Sequence, residues 1–254
     1  MRSIFLVILT LLLVSSSPSV QKEIKVKKPQ TSDISEPTPS LIESLYQSMD
    51  LASVLKFDAF EKAMQGYNTL SSKNKDIFTI IDFTLPSTDK RMVVLDMKNK
   101  KVLYHTIVSH GRNSGEKYAT AFSNRHGSYQ SSLGFYVTRN TYQGGNGYSL
   151  VIDGLEKGIN DQAKARAVVI HGADYCSESI IKSTGRLGRS YGCPALPREV
   201  TKPIINTIKD GSLLFIYADN KEYMANTKIV KPSTERTLLA QSDEVNTTKE
   251  QAVL

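Results

Sequence analysis

From Asp76 onward the apolar residues change from a helical to a strand-like period, and that change limits the folds open to the chain. The segments IFTIIDF, RMVVLDM, KVLYHTIVSH, GFYVTRN, YSLVIDG, ARAVVIHG and SLLFIYA are short and rich in Val, Ile, Tyr and Phe. Turn formers separate several of them, among them Pro86-Ser87-Thr88-Asp89, Lys98-Asn99-Lys100 and Gly144-Gly145-Asn146-Gly147. Seven candidate strands with little helix between them predict a mainly β sandwich or barrel. A helix is expected over residues 197–209, with Pro203 interrupting its pattern.

Ahead of the strands, residues 41–70 place Leu41, Leu45, Met49, Phe57, Phe60, Met64 and Tyr67 at spacings that include threes and fours. This is an amphipathic helical lead-in, broken into two helices, whose stripe packs on a core. Residues 21–40 are rich in Lys, Ser and Pro and read as a linker. Residues 1–20 carry one charged side chain, Arg2, an apolar run from Ile4 to Val14, and small residues after it. That layout is a secretory signal, and the run is short for a membrane span. The mature protein is expected outside the cytoplasm, in the periplasm or cell envelope; a membrane tether follows only if the signal is retained. Residues 221–254 have mixed charge and few large apolar side chains, and read as a mostly disordered tail. One domain, over residues 71–220, is left to carry the function.

The formal net charge is +7 and the pI about 9.2, which suits polyanionic neighbours such as wall polymers or anionic lipid. No dense Lys/Arg block and no nucleic-acid motif occurs in the central chain, so a nucleic-acid partner is not expected. The only cysteines are Cys176 and Cys193. In an oxidising compartment a pair of cysteines invites a disulfide, which is the plain structural alternative to chemistry at either one.

The stretch AVVIHGADYCSESIIKSTGRLGRSYGCPALP, residues 167–197, holds the chemistry-bearing residues. His171 ends a β-rich run, and Cys193 lies 22 positions later in Ser190-Tyr191-Gly192-Cys193-Pro194. Nucleophilic catalysis by Cys needs a thiolate, a base to form it and donors for the oxyanion that develops. A histidine at a strand end can be aimed firmly. A glycine just before the cysteine lets the chain bend so that the amides of Tyr191, Gly192 and Cys193 converge. Arg186 and Arg189 could hold a substrate carboxylate, and His110 and Ser190 could line the same site. His105 and His126 have no such context. The spacings of His110, His171, Cys176 and Cys193 match no compact zinc pattern, and no Gly-x-Ser-x-Gly elbow is present. The glycines of 144–147 lack a following Lys-Ser/Thr and read as a hairpin turn rather than a phosphate loop.

A β-run ending in His-Gly and followed by Ser-x-Gly-Cys resembles the murein L,D-transpeptidase catalytic domain, the YkuD-like family. Val108-Ser109-His110-Gly111, Phe122-Ser123-Asn124, Ser131-Ser132-Leu133-Gly134, Gly154-Leu155-Glu156 and Arg186 to Ser190 extend the likeness over roughly residues 78–217. Departures lie next to the nucleophile, where Tyr191 stands in place of the common His and Pro194-Ala195 follow. The resemblance implies an L,D-transpeptidase-type β-sandwich or barrel with a short N-terminal helical segment and few peripheral helices. It implies Cys193 as nucleophile, His171 as base and the Gly172 carbonyl as the group that orients the ring. It also implies peptidoglycan stem peptides as partners, with no metal or organic cofactor. The cysteine would attack a wall tetrapeptide, release D-alanine and pass the acyl group to an amine. With water as acceptor the same chain would be an L,D-carboxypeptidase or a cross-link-cleaving peptidase. A non-catalytic wall-binding module with a Cys176–Cys193 disulfide is the alternative of another class.

Overall fold

The computed structural model describes residues 40–231. The expected signal, nearly all of the expected linker and residues 232–254 of the expected tail lie outside the described residues.

The lead-in forms helix α1 (Leu41–Ser48), a 3-10 turn (Leu51–Ser53) and helix α2 (Phe57–Thr69). Ser40 starts α1, its hydroxyl accepting the Glu43 amide at 3.1 Å. The apolar face of α2, with Ala59, Phe60, Ala63 and Met64, is buried. Phe57, at the start of the same stripe, keeps 36% of its surface. Gly66 lets this helix lie directly on the sheet, because a Cβ there would stand 2.1 Å from the Phe135 ring.

The strands are β1 (Asn74–Asp82), β2 (Met92–Asp96), β3 (Lys101–Thr106), β4 (Gly134–Gly144), β5 (Gly147–Gly154), β6 (Val169–Gly172), β7 (Ala195–Leu196) and β8 (Ser212–Tyr217). All seven expected segments contribute a strand, so the mainly β reading holds. The eighth, β7, consists of two residues just beyond Cys193. One sheet runs β3-β2-β1-β8-β4-β5-β6-β7. The β1/β8 and β6/β7 pairs are parallel and the others antiparallel. Its core is packed with Phe78, Ile80, Tyr136, Leu150, Ile170 and Leu213, and the Phe135 and Phe215 rings stack at 4.2 Å.

KVLYHTIVSH was read as a single strand, but the ladder stops at Thr106. The following residues leave β2 and reach the opposite edge of the sheet, where Ser109 bridges Ala195 and Gly111 bridges Ser190. The sheet is thereby drawn round into a nearly closed barrel, and its two edges protect each other. Arg91 holds this seam. It is buried, and its guanidinium donates to the Val108 carbonyl at 2.8 and 3.0 Å and to Leu85 O at 3.0 Å. It also donates to His110 Nδ1 at 2.8 Å and lies over the Phe83 ring.

Three further helices complete the fold among the described residues. Helix α3 (Glu178–Thr184) lies between His171 and Cys193 in the chain. Helix α4 (Arg198–Ile208) carries the chain from β7 to β8 and buries Ile204, Ile205 and Ile208. Pro203 does not end it, because the bond forfeited by the missing N–H is to the carbonyl of Glu199, an exposed residue in the first turn. Helix α5 (Lys221–Asn226) corrects the start of the expected tail. Buried Glu156 accepts from Tyr223 Oη at 3.1 Å and from Thr227 Oγ1, and Tyr223 and Val230 are themselves buried.

Replacing Arg91 by Met keeps much of the volume but strands the Val108 and Leu85 carbonyls. Arg91→Met is expected to lower stability by about 2–4 kcal/mol in urea unfolding. A loss below about 1 kcal/mol would show that the seam holds without it.

Candidate active site

Strand β6 carries the imidazole and sits between β5 and β7. His171 pairs with Ser149 on one side and Ala195 on the other. The ring is almost fully buried, and its Nδ1 is 3.0 Å from the Gly172 carbonyl. A carbonyl only accepts, so Nδ1 carries the proton and Nε2 presents a lone pair. The thiol comes to the same stretch of strand: Val169 N–H donates to Cys193 Sγ at 3.4 Å, two residues ahead of His171.

The loop before β7 is held by Ser190. Its buried hydroxyl donates to the Cys193 carbonyl at 2.6 Å and accepts the Gly192 amide at 3.0 Å, while its own amide donates to His110 O at 2.9 Å. Gly192 has φ +127°, and a Cβ there would stand 2.9 Å from Gln130 O, so a side chain at this position would be strained and crowded. Two expectations change. Ser190, expected to touch substrate, spends its hydroxyl on the loop. The Gly192 amide, expected as an oxyanion donor, is already bonded to that hydroxyl. The amides of Tyr191 and Cys193 have no hydrogen-bond partner among the described residues.

Electrostatics favour a neutral resting pair. Burial pushes the Cys193 thiol up from its ordinary range, against smaller downward pulls from the Val169 amide and the Arg166 charge. Burial pushes His171 down, opposed by the bond to Gly172. Thiol and imidazole are thus the forms favoured near neutral pH.

Arg166 was missed in the sequence, where it is one arginine at the start of a β-run with no motif around it. Its half-buried guanidinium donates to Ser123 O (2.7 Å), Ser132 Oγ (2.6 Å), Ser128 Oγ (3.2 Å) and Gln130 O (2.6 Å). Every one of those acceptors is neutral. Among the described residues no carboxylate pairs with it, and beside Gly192 its charge favours a thiolate at Cys193.

The other expected substrate residues are engaged elsewhere. His110 is fully buried, accepts from Arg91 at Nδ1 and donates from Nε2 to Gly115 O at 3.2 Å. Burial and the Arg91 charge pull it down to about 4, so it stays neutral and holds the seam. Arg186 pairs with Glu116 at 2.8 Å, and Arg189 pairs with the same carboxylate at 2.7 Å while also donating to Arg112 O and Gly115 O. Both arginines thus spend donors on one shared carboxylate and on loop carbonyls. Cys176 is a free, buried thiol among Ile107, Ala173, Leu187 and Ala195, pushed up to about 11, and it is not bonded to Cys193. Among the described residues no three His, Cys, Asp or Glu side chains cluster as a metal site would need. A cavity of about 490 Å³ lies off to the side, lined by Phe122, Asn124, Ile159 and Tyr223 but not by the thiol or the imidazole.

Comparison with known proteins adds the following. The family model for the L,D-transpeptidase catalytic domain matches residues 51–217. No curated protein matches the chain. Among solved structures, it is similar to a mutant of the helical cell shape determining protein Pgp2 from Campylobacter jejuni, at 15% identity over 64% of this chain and 55% of that one, with TM-score 0.40. It is similar to a mutant L,D-transpeptidase of Enterococcus faecium at 18% identity over 56% and 50%, with TM-score 0.35. An L,D-transpeptidase from Mycobacterium smegmatis overlaps at 12% identity over 56% and 59%, with TM-score 0.35. The chain spans between half and three-fifths of the length of these three structures. Family membership rests on the family model rather than on these overlaps.

If Arg166 lowers the cost of the Cys193 thiolate, the pH midpoint of alkylation by iodoacetamide reports it. In a Cys176→Ala background, Arg166→Met is expected to move that midpoint upward, and Arg166→Lys to keep it close to wild type. An unchanged or lower midpoint in Arg166→Met would remove the electrostatic role.

Proposed function

Because this chain belongs to the L,D-transpeptidase catalytic domain family, we propose that it is a peptidoglycan L,D-transpeptidase with Cys193 as nucleophile and His171 as base. The observation that carries the reading is the Nδ1 bond from His171 to Gly172 O, on the strand stretch whose Val169 amide meets the thiol. That bond fixes the tautomer whose Nε2 can take a proton.

The steps follow from these groups. Cys193 Sγ attacks the carbonyl that joins the diamino acid to the terminal D-alanine of a wall tetrapeptide, and its proton passes to His171 Nε2. The oxyanion is met by the amides of Tyr191 and Cys193, the two left without a partner among the described residues. Collapse breaks the C–N bond, and His171 returns the proton to the departing D-alanine amine. A thioester remains on Cys193. The amine of a second stem attacks it, again with His171 accepting the proton, and the thiol is restored. All charge changes are met by protein groups, so no metal or organic cofactor enters. The leader read at residues 1–20 fits a site of action in the periplasm or envelope.

Incubation with disaccharide-tetrapeptide, followed by mass spectrometry, tests the reaction. Cross-linked dimer with free D-alanine is the expected product. Tripeptide alone would make the acceptor water and the chain a carboxypeptidase, and no product would sink the acyl-transfer reading. Cys193→Ala should abolish turnover and keep the fold, while Cys176→Ser keeps most activity.

Single-turnover acylation from pH 4 to 11 tests His171. The apparent constants belong to the pair. A lowered imidazole keeps the base unprotonated to lower pH, so the acid limb should fall below about 6.5. A raised thiol keeps its proton to higher pH, so the alkaline limb should lie above about 8.5. His171→Gln should slow acylation by about 10²–10⁴-fold and remove the acid limb. A near wild-type rate with an unchanged profile would remove His171 from the mechanism.

A further inference from the structure

Arg186 and Arg189 share Glu116 and Arg198 pairs with Asp174, which leaves the question of what meets an anionic substrate beside the thiol. Arg112 answers it by position. It follows the seam residue Gly111, and its amide donates to Ser190 O at 2.7 Å, so its backbone is tied to the loop that carries Cys193. Its side chain is exposed, and no acidic group pairs with it among the described residues. The guanidinium lies 5.8 Å from the Tyr129 ring centroid and 5.7 Å from that of Tyr191, two residues before the thiol.

The two tyrosines form a shelf under that charge. Their rings are 4.9 Å apart and tilted by 48°, and they keep 44% and 67% of their surface exposed. Contact with the ring faces restricts a side chain that would otherwise sweep through solvent, and it leaves the planar fork of donors free. Tyr129 is held with φ +53°, in the left-handed region, and its carbonyl takes the Asn113 amide at 3.1 Å. Strain at a non-glycine residue persists only where its surroundings impose it, and it is concentrated at working sites. Here it presents an aromatic ring to solvent next to a cation and a candidate nucleophile.

We propose that Arg112, steadied by Tyr129 and Tyr191, binds the C-terminal carboxylate of the donor peptide, the carboxylate of the residue that leaves. The inference rests on the acyl-transfer reading, since that reading fixes which carbonyl lies at Cys193. In a tetrapeptide donor the scissile carbonyl and the terminal carboxylate are separated by one residue, about 3.8 Å between α-carbons. Arg112 is tied by its backbone to the loop that carries Cys193, beside which that carboxylate must lie. The same geometry disfavours a donor extended by one residue, which moves the carboxylate away, and a donor whose terminus is a carboxamide, which removes the charge.

Calorimetric titration of the full chain carrying Cys193→Ala separates binding from chemistry. The probes are a disaccharide-tetrapeptide ending in D-alanine and the same compound ending in D-alaninamide. The acid is expected to bind about tenfold more tightly. Adding Arg112→Met should bring the two affinities together, whereas Arg112→Lys should keep part of the difference, since it retains the charge and loses the fork. Thermal melts of each variant should match the parent, because Arg112 is exposed. Equal binding of acid and amide by the parent, or a preference that survives Arg112→Met, would overturn the proposal. Release of D-alanine by the wild-type chain from the same tetrapeptide tests the acyl-transfer reading separately. A carboxylate preference without turnover would sink that reading and leave the binding site standing. Turnover without the preference would do the reverse.

Discussion

The segment Ile107–Gly111 is the constraint on which the site depends. It leaves one edge of the sheet and pairs with the other, and β7 is only two residues long. A strand that short cannot hold its place through β6 alone. It is fixed because Ser109 meets Ala195 from the far side, and because Ser190 is bonded to both His110 and Arg112 through the backbone. Arg91 holds the crossing segment by its Val108 carbonyl and by the His110 ring. The position of Cys193 is thus set from Arg91, just ahead of β2, through the seam, to the loop before β7. The barrel is closed at the point where a reacting group has to be aimed.

Charge is divided among the arginines in a way that suits a neutral resting site. Arg91 and Arg166 are surrounded by neutral acceptors, Arg186 and Arg189 share Glu116, and Arg112 faces solvent over two rings. Burial raises the thiol and lowers the imidazole, so a preformed ion pair is disfavoured. Among the described residues Arg166 has no carboxylate partner, and its charge offsets part of the cost of the anion. Under the proposed acyl transfer, that stabilisation goes to the charged form that develops during attack rather than to the resting site.

Much of this was legible in the chain. Seven strands stood out because each is long enough to show its β-branched and aromatic composition, and the His-Gly and Ser-x-Gly-Cys frames marked the candidate base and nucleophile. Strand β7 was invisible because two residues carry no period. The run through Val108 was read as one strand because composition does not show where a chain leaves one neighbour for another. Arg186 and Arg189 looked like ligand arginines only through nearness to Cys193, and their partner Glu116 lies some seventy positions away. His110 shared a strand-end setting with His171, but burial and a guanidinium at Nδ1 make it a structural group. Arg91 and Arg166 had no motif at all, because a buried arginine is identified by the carbonyls that converge on it, and those come from separate parts of the chain. Helix α5 was taken for tail because its anchor is Glu156, in a turn far upstream.

The central claim is that the thiol before β7 forms the covalent bond. Brief incubation of the wild-type chain with tetrapeptide, acid quenching and proteolytic mapping by mass spectrometry tests it most directly. The account predicts one adduct per chain, adding the mass of the tetrapeptide less that of one D-alanine, on the fragment that contains Cys193. An adduct on Cys176, or product formed by a chain in which Cys193 is alkylated, would contradict it.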